Sequence, residues 1–231
     1  ELDSTVRIAK KLEEAGADFL EIGFPYSDPV ADGPVIQHSS EVALANGMTV
    51  TKLFEQLREL RQHVQIPVFL MGYVNPVIQF GVEKFCEECK NVGVDGVIIP
   101  DLPMYEYEDL YKETFEKNGI ANIFIVTPQT STERIRKIDS LSNSFIYLLS
   151  SNATTGKTLD VGEDTNAYFK RIHDLELKNP LIVGFGISNK EAFQKASQYT
   201  AGAIIGSAFV KRLGEQDYMD QIPDFIKSIK G

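Results

Sequence analysis

Three carboxylates stand close together in EIGFPYSDPVADGP, the stretch that covers residues 21–34: Glu21, Asp28 and Asp32. Glu21 lies inside the apolar run ADFLEIGF, where a carboxylate is costly unless it is paired or functional. Loss of water around such a group raises its pKa and suits it to general acid or base catalysis. The alternative is a Glu held by a buried Lys or Arg. Function is favoured because no predicted strand offers an inward-facing basic residue.

The loop after Glu21 is stiffened by Pro25, Pro29 and Pro34, because proline fixes φ. Asp28 and Asp32 are four residues apart in this loop. One of them is expected to cap a following helix or orient the loop, and the other to face a substrate. Loop carboxylates also form turns, so spacing alone does not choose between the two.

Glycines mark the ends of three late apolar runs, in Thr154-Thr155-Gly156, in Gly184-Phe185-Gly186 and in Gly206-Ser207. Glycine lets backbone N–H groups approach an anion closely, and a helix starting at Ser207 would add its positive N-terminal end. If the three loops are neighbours on one face of a barrel, they predict a phosphate site. The alternative is three ordinary turns.

The composition restricts the class of function. The chain has 231 residues, is 43% hydrophobic and carries a net charge of −10, so nucleic acid is an unexpected partner. No apolar run is long enough to cross a membrane, and no secretory signal is visible. Low cysteine use fits a reducing cytosol, so a cytoplasmic protein is expected. The two cysteines, Cys86 and Cys89, lie in a helical pattern and are interpreted as structural rather than as metal ligands. No metal site is expected.

Short apolar runs, continuous rather than alternating, predict parallel strands covered on both faces. The seven predicted strands are residues 17–24, 67–73, 96–102, 122–128, 145–150, 180–186 and 201–207. Eight amphipathic helices are predicted before, between and after them, at residues 4–15, 51–63, 82–92, 105–118, 132–141, 165–175, 189–199 and 216–229.

Alternation of strands and helices predicts an α/β fold with a parallel sheet. The even spacing indicates a single domain over residues 1–231, a (β/α)8 TIM barrel whose first strand lies upstream of the given sequence or is missing. On the strand that carries Glu21, alternation places Phe19, Glu21 and Gly23 on one face and the apolar Leu20, Ile22 and Phe24 on the other.

The stretch EIGFPYSDPVADGPVIQ resembles the signature of the tryptophan synthase α subunit family, [LIVM]-E-[LIVM]-G-x-P-[FY]-S-D-P-x-A-D-G-P-x-I-Q. The resemblance extends along the whole chain in order. The other matching segments are MGYVNPVIQFG, GVDGVIIPDLP, FIYLLSSNATTG, VGFGIS and GAIIGSAFVK. The resemblance implies that the chain is truncated at its N-terminus relative to that family.

The resemblance implies a lyase of tryptophan biosynthesis that cleaves indole-3-glycerol phosphate to indole and glyceraldehyde 3-phosphate. It implies no cofactor in this subunit. It also implies a β subunit that carries PLP and receives the indole, in an α2β2 heterotetramer.

The same resemblance assigns roles by position. Glu21 corresponds to the catalytic acid and base, Asp32 to the carboxylate that binds the indole N–H, and Tyr147 to a tyrosine near the glycerol phosphate. Thr155 corresponds to a loop threonine that closes over the site. The phosphate-binding positions are Gly156, Gly186, Gly206 and Ser207. The indole-pocket positions are Met71, Tyr73, Pro100, Ile125, Phe185 and Ile204.

Other functions remain open from the residues. A phosphoribosyl isomerase or epimerase would fit the glycine steps but not the PYSDPVADGP loop. A freestanding indole-releasing lyase and a non-catalytic activator of the β subunit are the remaining alternatives.

Overall fold

A computed structural model describes residues 3–149, 163–184, 186–187 and 189–231 of the chain. The chain divides into two compact units. The first comprises the described residues of Glu1–Val30 and Gln37–Asn122, and the second those of Ala31–Ile36 and Ile123–Gly231. Organisation of residues 1–231 as a single domain stays a prediction.

The first sheet has four strands in the order β1-β2-β3-β4, and its β1–β2 and β2–β3 pairs are parallel. The strands are β1 (Leu20–Gly23), β2 (Val68–Met71), β3 (Gly96–Ile98) and β4 (Ala121–Ile123). The helices before β4 are α1 (Thr5–Glu14), α2 (Pro34–Ala45), α3 (Val50–Leu57), α4 (Leu60–His63), α5 (Val74–Phe80), α6 (Val82–Val92), α7 (Met104–Glu106) and α8 (Lys112–Asn118), with a π-helical turn at Tyr107–Tyr111.

The second sheet is also parallel, in the order β5-β6-β7-β8. Its strands are β5 (Ile125–Val126), β6 (Ile146–Leu149), β7 (Leu181–Gly184) and β8 (Gly202–Ala203). The accompanying helices are α9 (Thr132–Leu141), α10 (Glu163–His173), α11 (Lys190–Ala196), α12 (Ser207–Leu213) and α13 (Tyr218–Lys230).

One face of the first sheet packs on helices. Phe24, just past the end of β1, is 3% exposed and its ring lies 5.7 Å from that of Phe85 on α6. Phe85 is fully buried and also contacts Phe54 on α3, with 5.4 Å between ring centroids. Since alternate residues of a strand share a face, Leu20 and Ile22 point to this helix side together with Phe24.

The loops that enter β2 and β3 are held together by Arg61 on α4. Its guanidinium group donates hydrogen bonds to the carbonyl oxygens of Val64, Ile66 and Gly93 and to the carboxylate of Asp95. Gly93 ends α6 in the left-handed conformation, with φ of 81°, as the sequence predicts. A Cβ atom at Gly93 would lie 2.6 Å from Cγ of Arg61, so this close approach also requires glycine.

Each of the seven predicted strands contains an observed strand, but the observed ones are shorter. The run predicted as one strand at 122–128 is two, β4 and β5, which are separated by Phe124 and belong to different sheets. The helix predicted at 51–63 is also two, α3 and α4. The helix predicted at 105–118 contains the π-helical turn, which packs buried Tyr107 edge-on against Phe115 of α8, 5.4 Å between centroids.

Among the described helices none is long and apolar enough to cross a membrane. In the same part of the chain, no group of three or more His, Cys, Asp and Glu side chains is arranged to hold a metal ion. Cys86 and Cys89 are both fully buried on α6. Burial, followed by the charges of Glu83 and Glu87, raises the pKa of the Cys86 thiol to about 12.

Candidate active site

Glu21 stands on the face of the first sheet that points away from the helices. It pairs with Phe69 of β2 in the parallel register, while its neighbours Leu20 and Ile22 pair with Val68 and Leu70 on the helix side. Glu21 is half-buried, and within the described residues its Oε2 atom is enclosed and accepts no hydrogen bond, although the residue has other contacts. One oxygen of the carboxyl group is therefore shielded from solvent, near the carboxyl end of β1.

Three predicted pocket residues share that face at the carboxyl ends of β2 and β3. Met71 pairs with Gly23 and Ile98. Tyr73 lies two residues after Met71, and Pro100 lies two residues after Ile98. Tyr73 is 4% exposed and its ring lies 5.4 Å from the ring of Tyr26 in the loop after β1.

The two aspartates of this loop have different environments. Asp28 is exposed, accepts a hydrogen bond from Ser27 Oγ at 2.5 Å, and its carbonyl oxygen accepts one from the Val30 N–H. It is therefore a turn former. Asp32 is 7% exposed and lies in Ala31–Ile36, the segment that belongs to the second unit. Burial therefore distinguishes Asp32 from the exposed Asp28.

In the second unit, Ile125, Tyr147, Ile182 and Gly202 form one row across the sheet. Tyr147 is 2% exposed. Its ring lies directly over Gly184, because a Cβ atom there would fall within 3.0 Å of the hydroxyl oxygen and two ring carbons of Tyr147. Gly184 thus provides the space in which the tyrosine lies.

The carboxyl ends of β7 and β8 are adjacent, since the two strands pair in parallel. Gly186 follows β7 with φ of 80°, a left-handed conformation that favours glycine. Ile204 follows β8, is 8% exposed and donates its N–H to the Val183 carbonyl oxygen. Gly206 then precedes α12, which begins at Ser207 as predicted, and a Cβ atom at Gly206 would meet no other atom within 4 Å.

The loop after β5 is fixed by α10. Arg171 donates hydrogen bonds to the carbonyl oxygens of Pro128 and Thr130, and Tyr168 donates its hydroxyl to the Val126 carbonyl oxygen at 3.1 Å. Burial raises the pKa of Tyr168 far above its ordinary value, so the hydroxyl remains a donor. These bonds position the chain that follows Ile125.

Three predicted site residues, Thr155, Gly156 and Phe185, lie outside the described residues. Glu21, Met71, Tyr73 and Pro100 lie on or just after adjacent strands of the first unit. The other described site residues belong to the second unit: Asp32, Ile125, Tyr147, Gly186, Ile204, Gly206 and Ser207.

Sequence reasoning missed two residues that lie next to predicted site residues. Phe69 was seen only as part of an apolar run, and its position beside Glu21 depends on the register between strands. Gly184 was interpreted as part of a phosphate-binding step rather than as the space for Tyr147. A glycine inside a strand often marks a close approach of another group, and this signal could have identified it.

Comparison with known proteins gives one family. The family model described as "Tryptophan synthase alpha chain" matches residues 1–227. The tryptophan synthase alpha chain of Flavobacterium psychrophilum is 57% identical over 228 residues, which cover 99% of this chain and 90% of the relative. That of Christiangramia forsetii is 55% identical, covering 100% and 90%.

Solved structures agree. Tryptophan synthase subunit alpha from Legionella pneumophila matches with a TM-score of 0.87 and 31% identity, covering 98% of this chain and 86% of that one. The tryptophan synthase A-subunit from the hyperthermophile Pyrococcus furiosus matches with a TM-score of 0.88 and 33% identity, covering 98% and 91%. The fold class is therefore the (β/α)8 fold predicted from the sequence, and this chain belongs to the tryptophan synthase alpha chain family.

Proposed function

We propose that this chain is a lyase of tryptophan biosynthesis that cleaves indole-3-glycerol phosphate to indole and glyceraldehyde 3-phosphate. The observation that carries the proposal is the position of Glu21, on the face of β1 that turns away from the helices and next to the strand's carboxyl end. Family membership supplies the substrate, and Glu21 supplies the group that moves protons.

The reaction needs one group that first gives a proton and then takes one. Glu21 protonates indole C3, which turns the ring into a good electron acceptor. The bond between C3 and the adjoining carbon of the glycerol chain then breaks, and its electron pair returns to the ring. The hydroxyl on that carbon loses its proton to Glu21 and becomes the aldehyde, so protons and electrons balance without a cofactor in this subunit.

Asp32 is proposed to accept a hydrogen bond from the indole N–H. Protonation of C3 places positive charge on the ring nitrogen, and a buried carboxylate at that point stabilises the charge more than water would. The exposure of Asp28 and its turn contacts with Ser27 and Val30 support Asp32 rather than Asp28 for this role. Two carboxylates in different surroundings thus take different tasks.

The remaining predicted residues are proposed to bind the two ends of the substrate. Tyr147 lies near the glycerol phosphate, Thr155 closes over the site, and Gly156, Gly186, Gly206 and Ser207 hold the phosphate. The first N–H groups of a helix have no acceptor inside the helix, which supports the start of α12 as part of this site. The indole pocket is formed by Met71, Tyr73, Pro100, Ile125, Phe185 and Ile204.

A PLP-carrying β subunit is the proposed partner, in a cytoplasmic α2β2 complex. Large apolar side chains are exposed after three adjacent strands of the first unit: Val30 (78%) after β1, Ile78 (50%) after β2, and Tyr105 (62%) and Leu110 (66%) after β3. Carboxyl ends of adjacent parallel strands lie at one edge of a sheet. Exposed apolar side chains in the segments after these strands support a protein contact there.

The aspartate pair tests the assignment of roles. In an assay of indole release from indole-3-glycerol phosphate, Asp32→Asn is expected to lower turnover about 10²–10³-fold, and the matched control Asp28→Asn to leave it near the wild-type rate. The reverse order would contradict the proposal. The same assay with and without a β subunit separates the alternatives, since a freestanding lyase needs no partner and an activator releases no indole under either condition.

Gly206→Val tests the phosphate site. Because the space beside Gly206 is open, the valine variant is expected to keep the wild-type unfolding midpoint and to raise KM for the phosphorylated substrate. An unchanged KM would place the phosphate elsewhere.

A further inference from the structure

Two aromatic rings lie on the same face of the first sheet as Glu21. Phe69 is the cross-strand partner of Glu21 in β2, and neighbouring strands are about 4.8 Å apart, so the Phe69 side chain stands directly beside the carboxyl-bearing side chain. Phe69 is 5% exposed. Its ring packs edge-on against Phe19, with 5.8 Å between centroids and an interplanar angle of 89°.

The ring of Phe69 lies close to a glycine on the next strand. Gly96 is the partner of Phe69 in β3. A Cβ atom at Gly96 would lie 2.7 Å from the carbonyl oxygen of Ala121 and 3.0 Å from Cδ1 of Phe69. Gly96 therefore leaves the space that the ring occupies, and the row Glu21, Phe69, Gly96 places a large apolar surface on one side of the glutamate.

We propose that Phe69, seated over Gly96 and braced by Phe19, is a positioning residue that excludes water from one side of Glu21 and so keeps its carboxyl group protonated near neutral pH. A carboxyl group beside an aromatic ring loses hydration of its charged form, which favours the neutral acid. This inference rests on the proposed function, in which Glu21 must begin the reaction as an acid.

Other groups that titrate on this face are few. Besides Glu21 and Phe69, the described residues of β1 to β4 that share the face are Gly23, Met71, Gly96, Ile98, Ala121 and Ile123, which carry no charge. Tyr73 lies two residues past the end of β2 and, by the alternation of side chains along that strand, points to the same face. Among the described residues of the first unit that extend these strands, it is the one further titratable side chain on this face. On these strands, the residues beside Glu21 are therefore uncharged.

The test compares two buried phenylalanines: Phe69 in β2, beside Glu21, and Phe54 in helix α3. Phe69→Ala removes the ring beside Glu21, and the control Phe54→Ala removes a ring that is 2% exposed on α3, on the helix side. The titration of Glu21 is followed by ¹³C NMR in protein labelled at Glu, with the resonance assigned by its absence in Glu21→Gln. Phe69→Ala is expected to lower the midpoint of the Glu21 titration by about one pH unit, and Phe54→Ala to leave it unchanged.

An unchanged midpoint in Phe69→Ala, or equal changes in both variants, would overturn the inference. If either alanine variant fails to fold, Phe69→Leu and Phe54→Leu make the same comparison, with a smaller shift expected only in the first. The NMR readout does not depend on activity. Wild-type indole release by Glu21→Gln would refute the proposed function, while an inactive Glu21→Gln with an unshifted Phe69 variant would refute the inference alone.

Discussion

Gly184→Ala is expected to disturb the packing of the second unit where the Tyr147 ring lies over Gly184 of β7. The new Cβ atom would fall well inside 3.0 Å of the Tyr147 hydroxyl oxygen, Cζ and Cε1, so the hydroxyl group and its side of the ring must move. Tyr147 is 2% exposed, which leaves the ring no route into solvent. Overpacking of this kind costs about 1–3 kcal/mol, a factor of roughly 5–150 in the folding equilibrium.

The matched control is Gly202→Ala, on the neighbouring strand and in the same row as Tyr147. A Cβ atom there would meet Cδ1 of Ile182 at 3.6 Å, an ordinary van der Waals contact. The free energy of unfolding of this variant is expected to change by less than about 0.5 kcal/mol, or to rise slightly. Urea titration measures the free energy of unfolding of both variants, provided that the m-value is unchanged.

A double variant shows whether the ring is the cause. In Gly184→Ala combined with Tyr147→Leu, the smaller side chain removes the overlap, so the two changes should couple by about 1 kcal/mol or more. Indole release by Gly184→Ala is expected to fall even where the protein is fully folded, because Tyr147 is displaced. Equal stability of Gly184→Ala and Gly202→Ala would refute the reasoning.

Other perturbations follow from contacts away from the site. Arg61→Ala should lower the free energy of unfolding by about 2–4 kcal/mol, since three backbone carbonyls lose a charged donor. Arg58→Ala removes only a surface ion pair, so it should lower the free energy of unfolding by less than about 1 kcal/mol in the same urea titration. For Asp139, burial alone would raise the pKa, but hydrogen bonds from the chain before β7 lower it below the ordinary 3.8. Its contribution to stability is therefore present above pH 3.8 and lost as the pH falls through the folded-state pKa. The difference in free energy of unfolding between wild type and Asp139→Ala should be constant from about pH 5 to 7 and shrink below about pH 4. A difference that grows on acidification would contradict this. Cys86 and Cys89 should not react with an aromatic disulfide reagent at about pH 8 until the protein is unfolded. Both thiols are buried, and the pKa of Cys86 is raised to about 12. Reaction of the folded protein at the rate of a free thiol would contradict this burial.

Much of the fold follows from periodicity. Continuous apolar runs located all seven strand regions, and the helix over 132–141 has the predicted bounds. The split of 122–128 into β4 and β5 was not predictable, because a strand's partners depend on contacts distant in sequence. The π-helical turn at Tyr107–Tyr111 was missed for a similar reason, since the packing of Tyr107 on Phe115 is a tertiary contact.

The candidate site shows the same division. The alternation in ADFLEIGF was enough to separate the face of Glu21 from that of Leu20, and the register bears this out. Spacing could not choose between Asp28 and Asp32, whereas burial distinguishes them. The partnership of Phe69 with Glu21 required the pairing of β1 with β2, which a single strand's pattern does not specify.

The acid–base role of Glu21 is the central claim, and the rate of indole release by Glu21→Gln tests it most directly. Glutamine keeps the size and shape of the side chain but moves no proton. The account predicts a loss of about 10³-fold or more in turnover of indole-3-glycerol phosphate, with binding of glycerol phosphate retained. Turnover close to that of the wild type would contradict it.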